Sequence, residues 1–514
     1  MTARRIFATC LALGALALST PTWSQQPAPG RGGGGGRGAA GPVIPTDPSS
    51  VVSLRQGQVK GVAIPGVETF LGIPYAAPPV GDLRWRPTQA AKGWSGVRDA
   101  SKPGSNCGGA NEDCLYLNVT RPADARPGAK LPVMVWIHGG SFTGGSSTNG
   151  FGANHDGTEF AKKGVITVTI NYRLGRAGWF AHPALAKEGR TGNYGLMDQI
   201  AALKWVRDNI ASFGGNPGNV TIFGESAGAM SVGYLMLDPE ARGLFHKAIS
   251  ESGFGRNIPT PLKVAQDYAV AAATKAGVTG DNAAAAAALR KLPLTAFPAS
   301  TGLTDLSRPY PILDGHDIQW AVADGFAANK EAKVPFITGG NSNEASLFRP
   351  AAADLDKITE RKEVLLAAYD PSRGGNKLQI INDLVTDQRV TEPDRNLARL
   401  HTKHGQPTWN YYFSYLPAAT RQTALGAVHV AEIKYVFNGP GQNTDPQDWA
   451  TAASMNAYWA AFAKYGDPGA AGGPAWPKYD PASESRIEFS HGGPAVRQKF
   501  AQSRLDYVEQ SLPK

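Results

Sequence analysis

The chain has 514 residues, 42% of them hydrophobic and 18% charged, which is the balance of a globular protein and excludes a disordered one. Its formal net charge is +9, from 51 basic against 42 acidic residues, and Arg4, Arg5, Arg31 and Arg37 supply part of that excess ahead of any folded domain. No run of Lys and Arg is dense enough to track a nucleic acid, so the surplus reads as solvated surface and nucleic-acid binding is not expected.

Residues 1–24 read as a secretory signal. Arg4 and Arg5 form a charged start, residues 6–18 a short apolar run, and Thr22 and Ser24 offer small side chains around the cleavage point. The run falls short of the about 20 residues that a spanning helix needs, and no later segment reaches that length, so no membrane anchor is expected. An exported protein, periplasmic or secreted, follows from this. Residues 25–50 are rich in Gly and Pro and read as a flexible leader, which leaves 51–514 for the folded domain. Cys10 leaves with the signal. The remaining pair, Cys107 and Cys114, suggests a disulfide closing a short loop, in preference to two free thiols or a metal site. Closure of such a loop contributes about 2–3 kcal/mol.

Residues 132–137 form a continuous apolar run, the pattern of a strand buried on both faces. Residues 165–170 form a second, rich in β-branched side chains. Leu196, Ile200, Leu203, Val206 and Ile210 then recur at helical spacing and predict a helix with one buried stripe between Gly195 and Phe213. Residues 220–223 predict a third strand, followed by glycine, serine and another apolar helical stretch, and residues 334–338 and 409–413 predict later strands. This alternation argues for an α/β fold: a mostly parallel twisted sheet flanked by helices, with helical insertions, and its chemistry at the carboxyl ends of the strands.

Gly224-Glu225-Ser226-Ala227-Gly228 lies between the third strand and its helix. A tight strand–serine–helix turn flanked by glycines lifts the serine hydroxyl above the sheet, at the positive end of the helix, which makes Ser226 a candidate nucleophile. Such a serine needs a base, an orienting acid and donors for an oxyanion. His138-Gly139-Gly140-Ser141-Phe142 follows the first buried strand, and its side-chain-free glycines can aim amide N–H groups at developing negative charge. Gly139, Gly140 and the amide of Ala227 are the expected oxyanion donors.

Across most of its length the chain resembles the type-B carboxylesterases, the family that also contains the cholinesterases. The matching stretches lie at residues 70–75, 112–118, 138–142, 171–174, 192–199, 224–228 and 251–253, in the family's order. The resemblance implies the α/β-hydrolase fold and a Ser-Glu-His triad. Glu344 stands in the segment Gly339-Gly340-Asn341-Ser342-Asn343-Glu344, with Asn343 where the family has Asp and Ala345 where it often has Gly. His429 precedes Glu432 and the run Tyr435-Val436-Phe437, as the family's histidine does. In chemical terms His429 would accept the serine proton and pass it to the leaving alkoxide, while Glu344 fixes its tautomer.

By the same resemblance Glu225 supports the triad, Ser252 bonds Glu344, Arg84 pairs with Glu112, and Cys107–Cys114 corresponds to the family's first disulfide. That loop is long in cholinesterases and carries an aromatic residue for a quaternary ammonium group. Here residues 108–113 include no aromatic, so a more open cleft for bulkier esters is expected and choline esters are not. Phe142, Trp179 and Phe254 adjoin matched motifs and are the expected pocket aromatics. The expected partner is a small-molecule ester, with no cofactor and no metal. Amide, carbamate or specialised natural-product ester hydrolysis remains as an alternative, as does a non-catalytic binding protein on the same fold.

Overall fold

The computed structural model describes residues 47–150, 153–297, 307–372, 374–441 and 444–512. The expected signal and all but the last four residues of the expected leader lie outside them. A 13-stranded sheet runs through the molecule. Its strands are β1 (Asp47–Leu54), β2 (Gly57–Ile64), β3 (Val67–Pro74), β4 (Val97–Asp99), β5 (Tyr116–Pro122), β6 (Leu131–Ile137) and β7 (Ile166–Ile170). They continue with β8 (Gly215–Glu225), β9 (Lys247–Glu251), β10 (Phe336–Asn341), β11 (Thr408–Phe413), β12 (Arg486–Ser490) and β13 (Gly493–Arg497). The order is β1-β2-β3-β5-β7-β6-β8-β9-β10-β11-β12-β13, with β4 beside β2. From β7 to β12 every pairing is parallel. The strands before β7 in this order, apart from β4, and β13 at the far end pair antiparallel.

The helices that bear on the site are α1 (Tyr194–Asn209), α2 (Ala227–Leu237), α3 (Lys377–Thr386), α4 (Glu392–Lys403) and α5 (Pro446–Tyr465). Alternation along β6 feeds two cores. Val133, Val135 and Ile137 pack on one face with Leu196, Ile200, Leu203 and Val206 of α1. Met134 and Trp136 turn to the other face and meet Phe223, Ile249, Ile337, Trp409 and, from α5, Trp459 and Phe462. A strand covered on both sides has no polar face to show, which is why these segments read as unbroken apolar runs. The start of α5 is set by Asp445, whose carboxylate accepts the Asp448 N–H at 2.9 Å, with Pro446 at the first helical position. Gly466, at φ 70°, ends it.

Two boundaries and one burial pattern differ from expectation. β1 begins at Asp47, so residues 47–50 belong to the sheet and not to a leader; Ser50 is fastened by its N–H to Glu68 Oε1 at 2.7 Å. β10 begins at Phe336, because Pro335 has no N–H to give a ladder. In α1 more than one stripe is buried: Asp198 and Gln199 are fully enclosed, and Arg173 reaches Asp198 through two 2.8 Å hydrogen bonds. Segments inserted around Thr88 and Ile312 cover the side that the sequence left to solvent.

Cys107 and Cys114 are bonded. Arg84 holds Glu112 of the same loop, its Nε 2.6 Å from Glu112 Oε1. Among the described residues no helix is long and apolar enough to cross a membrane, and no group of three or more His, Cys, Asp or Glu is placed to hold a metal ion.

Candidate active site

β8 delivers Ser226 at the carboxyl edge of the sheet. Its backbone is turned to φ 55° and ψ −120°, with its N–H donated to the Glu251 carbonyl at 2.9 Å and its carbonyl accepting the Met230 N–H at 2.9 Å. The turn closes only on small neighbours. A Cβ on Gly228 would lie 1.9 Å from the Ile137 carbonyl oxygen, and one on Gly224 would lie 2.6 Å from the same atom. Ser226 precedes the first residue of α2, and its hydroxyl does not cap that helix.

Two distant loops complete the group. His429 Nε2 lies 2.9 Å from Ser226 Oγ, and its Nδ1 is in a short hydrogen bond with Glu344 Oε2. Glu344 is fully buried just past β10. Its Oε1 accepts the Asn341 N–H at 2.7 Å and the Ser252 hydroxyl at 2.6 Å. The His429 N–H donates to Ser346 Oγ at 3.0 Å, which ties the histidine loop to the acid's own turn. The two departures from the family pattern are accommodated there: the Asn343 N–H donates to the Ala427 carbonyl at 2.8 Å, and the Ala345 N–H to Thr386 Oγ1 at 3.1 Å.

Acids crowd this region. Glu225 is fully buried and neither of its oxygens has a hydrogen-bond partner among the described residues, although Oε1 lies 3.1 Å from His429 Nε2. Burial pushes its carboxyl well above the usual range; His429 counters, and Glu432, Glu344 and Glu251 add to the rise. Burial likewise raises Glu251, Asp394 to about 8, and Glu432 to about 7 with Glu344 adding to it. Burial alone would lower the pKa of His429, but Glu225, Glu344 and Glu432 outweigh it and the net direction is upward. His138 differs: burial lowers its pKa to about 4, and its ring stacks on Tyr172 with centroids 4.5 Å apart.

Gly139 and Gly140 stand next to Ser226. A Cβ on Gly139 would be 3.1 Å from Ser226 Cβ and 2.7 Å from the Glu225 carbonyl oxygen, and Gly140 has φ 110°. Neither N–H has an acceptor among the described residues. Ala227 is the first residue of α2. Of the three aromatics, Phe254 contacts His429, its ring centroid 5.5 Å from the imidazole's. Phe142 is fully buried and packs edge-on against Trp179 at 5.0 Å and Tyr310 at 5.5 Å, so Trp179 stands behind Phe142. Ser141, Phe142, Ser226, Ser252, Phe254 and Val430 all have φ between 48° and 71°, so backbone strain is gathered at this site.

Comparison with known sequences places this geometry. The Carboxylesterase family matches residues 48–370 and 356–508. The chain belongs to the carboxylesterase family. This carboxylesterase is 36% identical to the fumonisin B1 esterase of Sphingopyxis macrogoltabida over 475 residues, 85% of this chain and 86% of that one. It is 35% identical to carboxylesterase 1D of Mus musculus, over 84% of this chain and 88% of the relative. Among solved structures it is similar to a carboxylesterase of Geobacillus stearothermophilus, with TM-score 0.76, 31% identity and coverage of 89% and 99%. A PNB esterase gives the same TM-score at 30% identity and the same coverage. The carboxylesterase is thus a serine hydrolase of carboxylic esters on the α/β-hydrolase fold. Sequence reading assigned no role to Asn341, inside the Glu344 segment, nor to Ser346, Thr386, Asp394 or Tyr310, which hold or adjoin the site from segments without a local motif.

Proposed function

We propose that Ser226, His429 and Glu344 perform the hydrolysis through an acyl-enzyme. His429 Nε2 takes the proton of Ser226 Oγ as the oxygen attacks the ester carbonyl, and the negative charge on the carbonyl oxygen is met by the N–H groups of Gly139, Gly140 and Ala227. The proton then passes to the departing alkoxide. Water, deprotonated by the same nitrogen, releases the acid and restores the serine. Glu344 keeps the Nδ1 proton in place, and Ser252 keeps Glu344 in place. The observation that carries this reading is the unbroken chain of contacts from Ser226 Oγ through His429 to Glu344.

The test is a graded series of p-nitrophenyl acyl esters with the wild type and Ser226→Ala. Loss of about 10⁴-fold or more in kcat in a variant with unchanged circular dichroism is expected. Wild-type turnover retained by the variant would sink the assignment. Export to the periplasm or medium is part of the proposal, supported by the signal pattern of residues 1–24 and by a disulfide, which persists in oxidising compartments. The similarity to a fumonisin B1 esterase supports a second, narrower reading, in which the natural ester is a specialised product and not a simple alkyl ester.

A further inference from the structure

We propose that Arg308 and Arg389 form an anion subsite flanking Ser226 and His429, and that the natural ester is a half-ester carrying a second, ionised carboxylate. The proposal rests on the hydrolase reading above and names its substrate class.

Two cations are linked to the reacting residues, each across an aromatic ring. On the histidine side the Arg389 guanidinium lies 4.8 Å from the centroid of Phe348, Phe348 lies 6.2 Å from Phe254, and Phe254 lies 5.5 Å from His429. On the nucleophile side the Arg308 guanidinium lies 3.9 Å from the centroid of Tyr310, whose ring is 5.5 Å from Phe142 of the glycine loop. The Tyr310 hydroxyl is also 3.5 Å from the sulfur of Met230, one turn of α2 beyond Ser226.

Among the described residues neither arginine has a carboxylate partner, although the neighbourhood is rich in ion pairs. Arg256 is closed off by Glu392 through hydrogen bonds of 2.6 and 2.7 Å. Asp387, the acid on Arg389's own turn, is fully buried and taken by Arg504 at 2.8 Å and Tyr369 at 2.9 Å. Stacking on an aromatic face leaves the charge of a guanidinium and its planar fork of donors available. Two such forks left without an anion are suited to a carboxylate, which they can grip through paired N–H donors.

Arg389 is exposed, on a backbone that is held firmly. It lies on the π-helical turn Asp387–Thr391 between α3 and α4, and π-turns of this kind commonly mark functional sites. Val390 beside it is fully buried against β10, where a Cβ on Gly340 would come within 2.4 Å of its Cγ1. Thr386, just ahead of the turn, accepts the N–H of Ala345. The turn that presents Arg389 is thereby fastened to the turn that presents Glu344. Arg308 and Arg389 both lie within electrostatic reach of the Tyr310 hydroxyl.

A matched pair of substrates tests the subsite: p-nitrophenyl hexanoate, which is neutral, and p-nitrophenyl hydrogen adipate, which bears a terminal carboxylate. The ratio of kcat/KM for the anionic over the neutral ester is expected to fall by about ten-fold or more in Arg308→Gln/Arg389→Gln, and to be partly restored in Arg308→Lys/Arg389→Lys. In the wild type the ratio is expected to fall as salt is raised. A ratio unchanged by the double glutamine variant overturns the proposal. If the wild type cleaves neither ester, the hydrolase assignment fails and the subsite is judged by calorimetry with adipate on Ser226→Ala. Binding lost with both arginines supports the subsite there; equal or absent binding overturns it.

Discussion

Around Ser226 the site is held by close approach of main chain: Gly224 and Gly228 let α2 and β6 come together at Ile137, and Gly139 lies against the serine itself. Around His429 it is held by polar side chains that bridge loops far apart in sequence: Ser252 donates to Glu344, the Asn341 amide to Glu432 of the histidine segment, and Ser346 accepts the His429 N–H. The two sides therefore fail in opposite ways. The serine side is harmed by an added atom, and the histidine side by a lost hydrogen bond.

Substitutions that separate these modes sharpen the contrast. Glu344→Gln keeps volume and removes charge, and kcat is expected to fall by about 10³–10⁴-fold. Because Glu344 is one of the carboxylates that raise the pKa of His429, the acid limb of the residual activity should also move to lower pH. A pH–rate profile reads both effects, and an unmoved limb would mean that Glu344 acts by packing alone. Gly228→Ala adds one carbon and should destabilise the fold by about 1–3 kcal/mol or more, measured by urea unfolding. Normal stability there would break the close-approach account. Ser252→Ala removes one donor from Glu344, and a loss of about ten-fold in kcat is expected with little change in KM.

The smallest effect lies outside both sides, at a polar cluster that serves folding. Burial would raise the Glu331 carboxyl, but hydrogen bonds from His401, Lys333 and His404 outweigh it and bring its pKa from 4.5 to about 2. A depressed carboxyl stabilises the fold above its unfolded pKa, and that contribution is lost as pH falls from 4.5 towards about 2. Glu331→Gln should flatten the pH dependence of urea stability in that window and leave the rate constants of ester hydrolysis alone.

The serine side was legible in the sequence because its constraints are local. A strand, two glycines and a helix start fall within a few residues of Ser226, and His138-Gly139-Gly140 directly follows β6. Glu344 and His429 were legible only through resemblance, since no spacing rule links residues 85 apart. The buried acids Glu251 and Glu432 and the π-turn at Arg389 were not read as a group, because what unites them is the end of one parallel sheet reached from many segments. The burial of Asp198 escaped for a similar reason: its cover comes from insertions whose docking leaves no period in the chain.

The cluster of positive backbone φ angles at Ser141, Phe142, Ser252, Phe254 and Val430 sets heat tolerance against turnover. Each such residue costs about 1–3 kcal/mol relative to relaxed backbone, and the β-branched Val430 stands at the upper end. Glycine would relieve that strain, more than offsetting its own entropic cost at Val430, and would at the same time loosen the frame around His429. Selection for thermal endurance alone would thus erode the site first. Lys130 has the same backbone twist at φ 55°, but it is exposed and precedes the amino end of β6, opposite the serine. Relaxation there would leave the chemistry undisturbed.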